Sequence, residues 1–358
     1  MVIDERDFAA ALVAFIIAVT LTPAIRSLAL HWNWFDEPNI RSSHTVPVPR
    51  LGGIAFVLAT VTGVVVGAER FEWWMTGVGI GAVVVAVTGT LDDITRLNPM
   101  QKFLPQIGAA AIAVLLLEPR ILVDLPIGVV TLSPALSAGI ATLWIVSVVN
   151  AFNFLDGLDG LAGGVALVVA AVLASLLPGS APLLVPFAAA VGGFLLWNTA
   201  PASIFMGDGG SQFIGYLLAT AVLMPGPTDT GAVPVLFVFV PVLGDAAVTI
   251  ARRLLRGTSP FSGDRSHLFH GFMRALDSHR AVAGLYVAVT ALFGLAGLAY
   301  IHADAFVKTI LLAIAGLVML ASLTMLGNIG MTVRPRVGLG IRDDGPHEPR
   351  SRAARSRQ

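Results

Sequence analysis

The chain predicts an all-α fold threaded many times through a membrane, and three observations carry that reading. Of its 358 residues 56% are hydrophobic and only 12% charged, where a soluble domain carries about a quarter charged residues. Its apolar residues fall into eleven runs, several near the roughly 18 residues that can span a bilayer. Its acidic and basic residues concentrate in the gaps between those runs. There is no cysteine, which excludes disulfides, thiolate catalysis and sulfur-ligated zinc.

Taken in order, the apolar segments run over 8–30, 51–68, 74–91, 103–117, 134–150, 161–177, 182–197, 211–224, 233–251, 281–300 and 305–326. The first follows "MVIDERDF", acidic where a secretory leader would be basic, so it reads as a retained helix. Glycine-rich runs such as 74–91 fit helices that pack closely in lipid. Together the segments make one transmembrane domain, residues 1–326, of about eleven helices. Residues 327–358, ending "EPRSRAARSRQ", read as an Arg-rich disordered tail near the lipid surface. An odd number of spans puts the termini on opposite sides. With the amino terminus outside, the inner segments hold 18 of the 22 Lys and Arg, which predicts a cytoplasmic carboxyl terminus.

That orientation gathers the polar motifs on one inner face. "GTLDDITRLNPMQKF" ends the third run with Asp92 and Asp93. Paired carboxylates there meet the negative end of a helix dipole, a penalty that a divalent cation reverses. A pair of solvated loop residues is the plainer alternative. In "NAFNFLDGLDGLAGG", Asn150, Asn153, Asp156 and Asp159 recur every third residue. On one continuous helix that spacing would carry the last toward lipid. Gly157 and Gly160 instead predict a helix that stops near Asp156 and a turn that brings Asn153, Asp156 and Asp159 together; Asp159 could equally cap the next helix. "FMGDGG" presents Asp208 on flexible backbone, a weak signal by itself.

The longest basic loop carries "DRSHLFH", with Arg265 beside His267 and His270 one helical turn apart. This set suits contacts to phosphate, although a basic loop resting on anionic lipid would look the same. Phe269 between the two histidines could lie against a sugar face. Asp245, inside the ninth run, is expected to support this loop from beneath, because an ionisable group at that depth is functional or paired.

The motifs "RLGGIAF", "LDD", "NFLDGLDGLAGG", "FMGDGG", "PVLGD" and "DRSHLFH", in this order from Arg50 to His270, resemble the polyprenyl-phosphate N-acetylhexosamine-1-phosphate transferases. The resemblance implies an integral membrane enzyme that moves a sugar phosphate from a UDP-sugar to a polyprenyl phosphate, releasing UMP. GlcNAc-1-phosphate is the expected group. It implies Mg2+, with Mn2+ as a substitute, and a multi-pass protein of the bacterial inner (plasma) membrane. The lipid bilayer and a second copy of the chain in a homodimer are the other expected partners; nucleic acid is not. Carried over by motif, Asp92, Asp93, Asp156, Asp159, His267 and His270 are catalytic. Lys102, Asn153, Asn198, Phe205 and Arg265 bind substrate, with Asn198 and Phe205 near the uracil. Asp208, Asp92 and Asp156 hold the metal, and Asp93 positions or deprotonates the lipid phosphate. The loop departs from the usual "DRSHLHHR" at Phe269 and Gly271, which bears on the choice of sugar. A triple-histidine signature of the phospho-MurNAc-pentapeptide transferases is missing, which makes that reaction the runner-up.

Two other classes fit less well. An intramembrane aspartyl protease needs Gly-x-Gly-Asp, and Phe205 and Met206 precede Gly207–Asp208 instead. A proton-coupled transporter would hold its carboxylates at the bilayer midplane, whereas these cluster at one surface.

Overall fold

The computed structural model describes residues 4–36, 47–69, 72–224, 231–255, 257–259 and 267–332. Among them the chain forms twelve α-helices, one 3₁₀ turn and two small antiparallel hairpins. Helix α1 (Glu5–His31) leads through the hairpin β1 (Phe35–Asp36) and β2 (Val48–Pro49) to α2 (Gly53–Gly67), α3 (Trp73–Thr95) and α4 (Pro99–Leu117). The second hairpin, β3 (Leu122–Leu125) and β4 (Gly128–Thr131), precedes α5 (Pro134–Leu155), α6 (Leu161–Leu176), α7 (Ala181–Asn198) and α8 (Gly207–Ala221). Then come α9 (Ala232–Leu255), the short α10 (Leu268–Leu276), α11 (His279–His302) and α12 (Ala305–Thr332).

Each of the eleven apolar runs corresponds to one long helix, but the runs do not all have membrane length. Eight helices are long and apolar enough to cross a bilayer: α1, α3, α4, α5, α7, α9, α11 and α12. Helices α2, α6 and α8 have 15, 16 and 15 residues, or about 22–24 Å of rise against a hydrocarbon core of about 30 Å. Every residue of α8 except Asp208 is buried, so this helix is a core element and faces other helices instead of lipid. At the other extreme, no residue in the membrane-length stretch of α12 is buried. Helix α12 runs on to Thr332, past the expected boundary at 326; residues 333–358, the rest of the expected tail, lie outside the described residues.

Local chemistry sets the helix ends that matter. Asn98 caps α4 in a reciprocal box with Gln101, with Pro99 at the first helical position. The helix α5 stops at Leu155, where the Gly157–Gly160 pair predicted, and Gly160 takes φ +72 to start α6. The hairpins were not foreseen. "ILVDLPIGVVTL" reads as a short outer loop, yet Leu122–Leu125 pairs with Gly128–Thr131 across a tight turn.

Close backbone approach explains two of the glycines. A Cβ on Gly89 of α3 would lie 2.5 Å from the Asp208 backbone, and one on Gly53 of α2 would lie 2.5 Å from Gly210. The amino end of α8 is therefore wedged between α3 and α2. Beneath it, a buried polar chain runs from Asn150 Nδ2 to Gln106 Oε1 (2.7 Å) and from Gln106 Nε2 to Gln212 Oε1 (3.1 Å). Asn150 thus ties α5 to α4 and has no place in the acidic turn.

Candidate active site

The carboxyl ends of α3 and α5 and the amino ends of α2, α4 and α8 meet at one end of the bundle, and the predicted acidic motifs meet with them. Asp92 closes the α3–α4 turn by accepting from the Leu97 amide at 2.7 Å. That turn delivers Lys102, on the first turn of α4, between two carboxylates: its Nζ pairs with Asp92 and lies 3.2 Å from Asp208. Asn153, on the last turn of α5, donates to Ser211 Oγ at 3.0 Å and also hydrogen-bonds Asp208. Asp156 faces the same group from the α5–α6 turn. Burial first, then the charges of Asp208 and Asp93, raise its carboxyl well above the ordinary carboxylate range, while Arg50 pulls it down.

Asp93 has a different position from the one expected of a base. Its side chain is only 2% exposed, and it accepts from the backbone N–H groups of Asp208 (3.0 Å) and Gly209 (3.3 Å). Those are orphan donors at the start of α8, so Asp93 caps that helix from across the interface. Gly207, at φ +74, leaves the room: a Cβ there would lie 2.3 Å from Asp93 Oδ2. The second aspartate of the pair therefore aims Asp208.

Arg50 is the site residue that motif reasoning passed over. It directly follows β2, donates to Asp36 at 2.5 Å and reaches to 3.8 Å from Asp93. Its signal lay in "RLGGIAF", which entered only as one of the motifs of the resemblance, because nothing in one sequence separates this arginine from the other basic residues. The site thus sets four carboxylates, Asp92, Asp93, Asp156 and Asp208, against two cations, Lys102 and Arg50.

Other predicted residues stand further back. Asn198 is buried, with Oδ1 accepting from Gly160 N (3.2 Å) and Nδ2 donating to Ile204 O (3.0 Å). Its carbonyl oxygen ties the end of α7 to the start of α6 and its amide nitrogen holds the 199–206 loop, so the buried side chain is engaged in packing the turn where a uracil contact was expected. Asp159 accepts from Ala202 N at 3.0 Å and faces His279 Nδ1 at 3.4 Å; it anchors the 199–206 loop, and its charge adds to those acting on Asp156. Phe205 keeps a half-buried ring, while its backbone N–H donates to Pro49 O at 2.9 Å.

The histidine loop packs against this turn from the side of α9. His267 is buried, and its Nδ1 lies 2.9 Å from Asp245 Oδ2. The Leu268 amide donates to Asp245 Oδ1 at 2.6 Å. Asp245 does support the loop from beneath, as its depth predicted. Phe269 is 1% exposed, stacks on His267 at 5.3 Å and fills the space over Gly157, where a Cβ would meet its ring at 2.6 Å. It is a packing residue, and no sugar can lie on a ring so enclosed. His270 follows at the start of α10, 4.3 Å from the Phe269 ring. Arg265 lies outside the described residues.

Among the described residues, no three carboxylate or imidazole groups stand close enough to hold a metal ion by themselves. What is present, a carboxylate pair with an ammonium drawn between them, suits a hard cation that takes one or two carboxylates and completes its shell with water and substrate phosphate, as magnesium does.

The chain matches a family model described as glycosyl transferase family 4 over residues 75–226, which hold the Asp92–Asp93 pair, the α5–α6 turn and Asp208. It is 32% identical over 295 residues to a probable undecaprenyl-phosphate N-acetylglucosaminyl 1-phosphate transferase of Bacillus subtilis (strain 168), covering 78% of this chain and 81% of that one. A decaprenyl-phosphate N-acetylglucosaminephosphotransferase of Mycobacterium tuberculosis is 34% identical over 310 residues, covering 76% of each chain. An undecaprenyl-phosphate alpha-N-acetylglucosaminyl 1-phosphate transferase of Thermotoga maritima is 29% identical over 283 residues, covering 79% of this chain and 87% of that one.

Proposed function

Because the chain belongs to glycosyl transferase family 4, we propose that it transfers N-acetylglucosamine 1-phosphate from UDP-N-acetylglucosamine to a polyprenyl phosphate in a bacterial inner membrane, releasing UMP. The observation that carries this reading is the acidic cluster with its two cations at one end of the helices. Relatives named for this transfer support the acceptor and the sugar. We take the clustered end as cytoplasmic, since the charge asymmetry of the loops favours that side.

In the proposed reaction an acceptor phosphate oxygen attacks the β-phosphorus of the donor. A new P–O bond forms, and the bond between that phosphorus and the bridging oxygen breaks, so that oxygen leaves on UMP. A phosphate monoester has its second pKa near 6 and is largely dianionic at pH 7. The nucleophile therefore asks little of a general base, which agrees with a buried Asp93 already engaged by two amides. The obstacle is repulsion between anions. Lys102 and Arg50 supply fixed positive charge at the cluster, preorganised by Asp92, Asp208, Asp36 and Asp93. Asp208 and Asp92 are the groups that would hold magnesium, whose bound charge would draw electron density from the diphosphate. Asp93 keeps Asp208 in register through the α8 amides, and Asn153 holds it from the α5 side.

Purified full-length protein, mixed with UDP-N-acetylglucosamine, polyprenyl phosphate and magnesium, should release UMP and form a lipid-linked sugar diphosphate. UMP release that does not need the lipid phosphate, or no release with any UDP-sugar tried, would sink the reading.

A further inference from the structure

The far ends of α4, α5 and α9, with Val222, Leu223 and Met224 just past α8, surround a cavity of about 670 Å³ that has no part in the reaction proposed above. Leu117, Ala141, Trp144, Leu177, Met224 and Val235 supply its apolar wall. It lies at the end of the bundle opposite the acidic cluster: Leu117 ends α4, whose first turn carries Lys102, and Met224 follows α8, whose first turn carries Asp208. The hairpin β3–β4 roofs it. That roof is fastened, because Lys308 Nζ lies 2.6 Å from Asp124 Oδ2 and Tyr300 OH donates to the Asp124 carbonyl at 2.7 Å.

Four features identify an occupant. The volume falls within the range of about 300–1,000 Å³ typical of sites for small ligands. The wall offers few polar partners, so water gains little there, and an unfilled apolar space forfeits dispersion contacts along its lining. Ile140 of α5 and Leu236 of α9, both lining it, are 39% and 43% exposed, on helices long and apolar enough to cross a membrane. An acyl chain beside the protein can therefore enter sideways between them. At the roofed end the lining includes Glu118 and Arg120, two exposed side chains of opposite charge. A free fatty acid would set its carboxylate beside Glu118. A headgroup carrying both a phosphate and an ammonium matches the two charges.

We propose that this cavity binds one acyl chain of a zwitterionic phospholipid, with the phosphate at Arg120 and the ammonium at Glu118. The site is independent of the transfer chemistry, and its test needs no activity assay.

Because the native chain lacks cysteine, Val235→Cys makes a single reporter inside the cavity. The full-length variant, delipidated in detergent, should react readily with a small thiosulfonate. Added dioleoylphosphatidylethanolamine should slow that reaction by about tenfold, the scale of a well-made charged contact. Dioleoylphosphatidylglycerol, which lacks the ammonium, should protect less, and Arg120→Gln should weaken the protection by phosphatidylethanolamine. Native mass spectrometry should find one retained phosphatidylethanolamine in the wild type and less in Ala141→Trp, which fills the space. Three results would overturn the proposal: no slowing by phosphatidylethanolamine, equal protection by the two lipids, or full protection by detergent alone, which marks an adventitious additive only.

Discussion

The two ends of α8 and its neighbours are built in opposite ways. At the Asp208 end, helix backbones touch, Lys102 and Arg50 are held by carboxylates, and side chains reach across long stretches of sequence to hold amide groups. At the other end the same helices splay around an apolar cavity under a two-stranded roof. The difference teaches where this chain concentrates its constraints: fixed charge needs rigid support within tenths of an ångström, whereas apolar surface accepts many fillings of about the right size.

The largest test of that contrast is Asp208→Asn. It should lower kcat by about 10²–10³-fold, the usual cost of deleting one preorganised electrostatic group, while the protein still inserts and melts cooperatively. Turnover near wild type at saturating magnesium would remove Asp208 from the chemistry. Next is Gly89→Ala, whose methyl would press on the Asp208 backbone at 2.5 Å. Overpacking there should cost about 1–3 kcal/mol, and because it displaces α8 it should also depress transfer, read as a lower Tm together with a lower kcat.

Asp156→Asn separates stability from activity. A carboxyl whose folded pKa is raised above its ordinary 3.8 holds its proton more tightly when folded, so stability falls as pH climbs through the window between the two values. In chelator at pH 7 the Asn variant should therefore melt above the wild type, and the gap should close on acidification even though transfer is impaired. A lower melting temperature at pH 7 would contradict the burial of a disfavoured charge. The smallest effect belongs to Gly139→Ala, on α5 near the cavity end, where a Cβ meets nothing within 4 Å. It should leave kcat unchanged and alter stability by about 0.4–1 kcal/mol, in the stabilising direction, since alanine favours helix and restricts the unfolded chain.

The sequence made the spans and the acidic clustering legible because both arise from local pattern: apolar length, loop charge, and the glycine pair that stops α5 at Leu155. Asp245 was also readable, since depth alone demands a partner. What was hidden depends on backbone atoms far away in sequence. Nothing near Asp93 says that its partners are the amides of Asp208 and Gly209, and Asn198 next to a loop looks like a ligand contact until Gly160 and Ile204 are seen to consume it. Phe269 misled for the same reason, because its burial depends on the absence of a side chain at Gly157. The short length of α8 was in plain view, but only packing reveals that its neighbours enclose it.

That enclosure has a bearing on how the protein meets membranes of different thickness. A helix bathed in lipid answers hydrophobic mismatch by tilting, and α12, with no buried residue along its membrane-length stretch, is free to do so. Helix α8 is shielded on every side. Its height is set by the backbones of α2 and α3, so the carboxylate on its first turn keeps its depth relative to Lys102 and Asn153 while the lipid-facing shell adjusts. Reconstituted into bilayers of increasing acyl length, the protein should show helix tilt that varies and a turnover number that hardly moves.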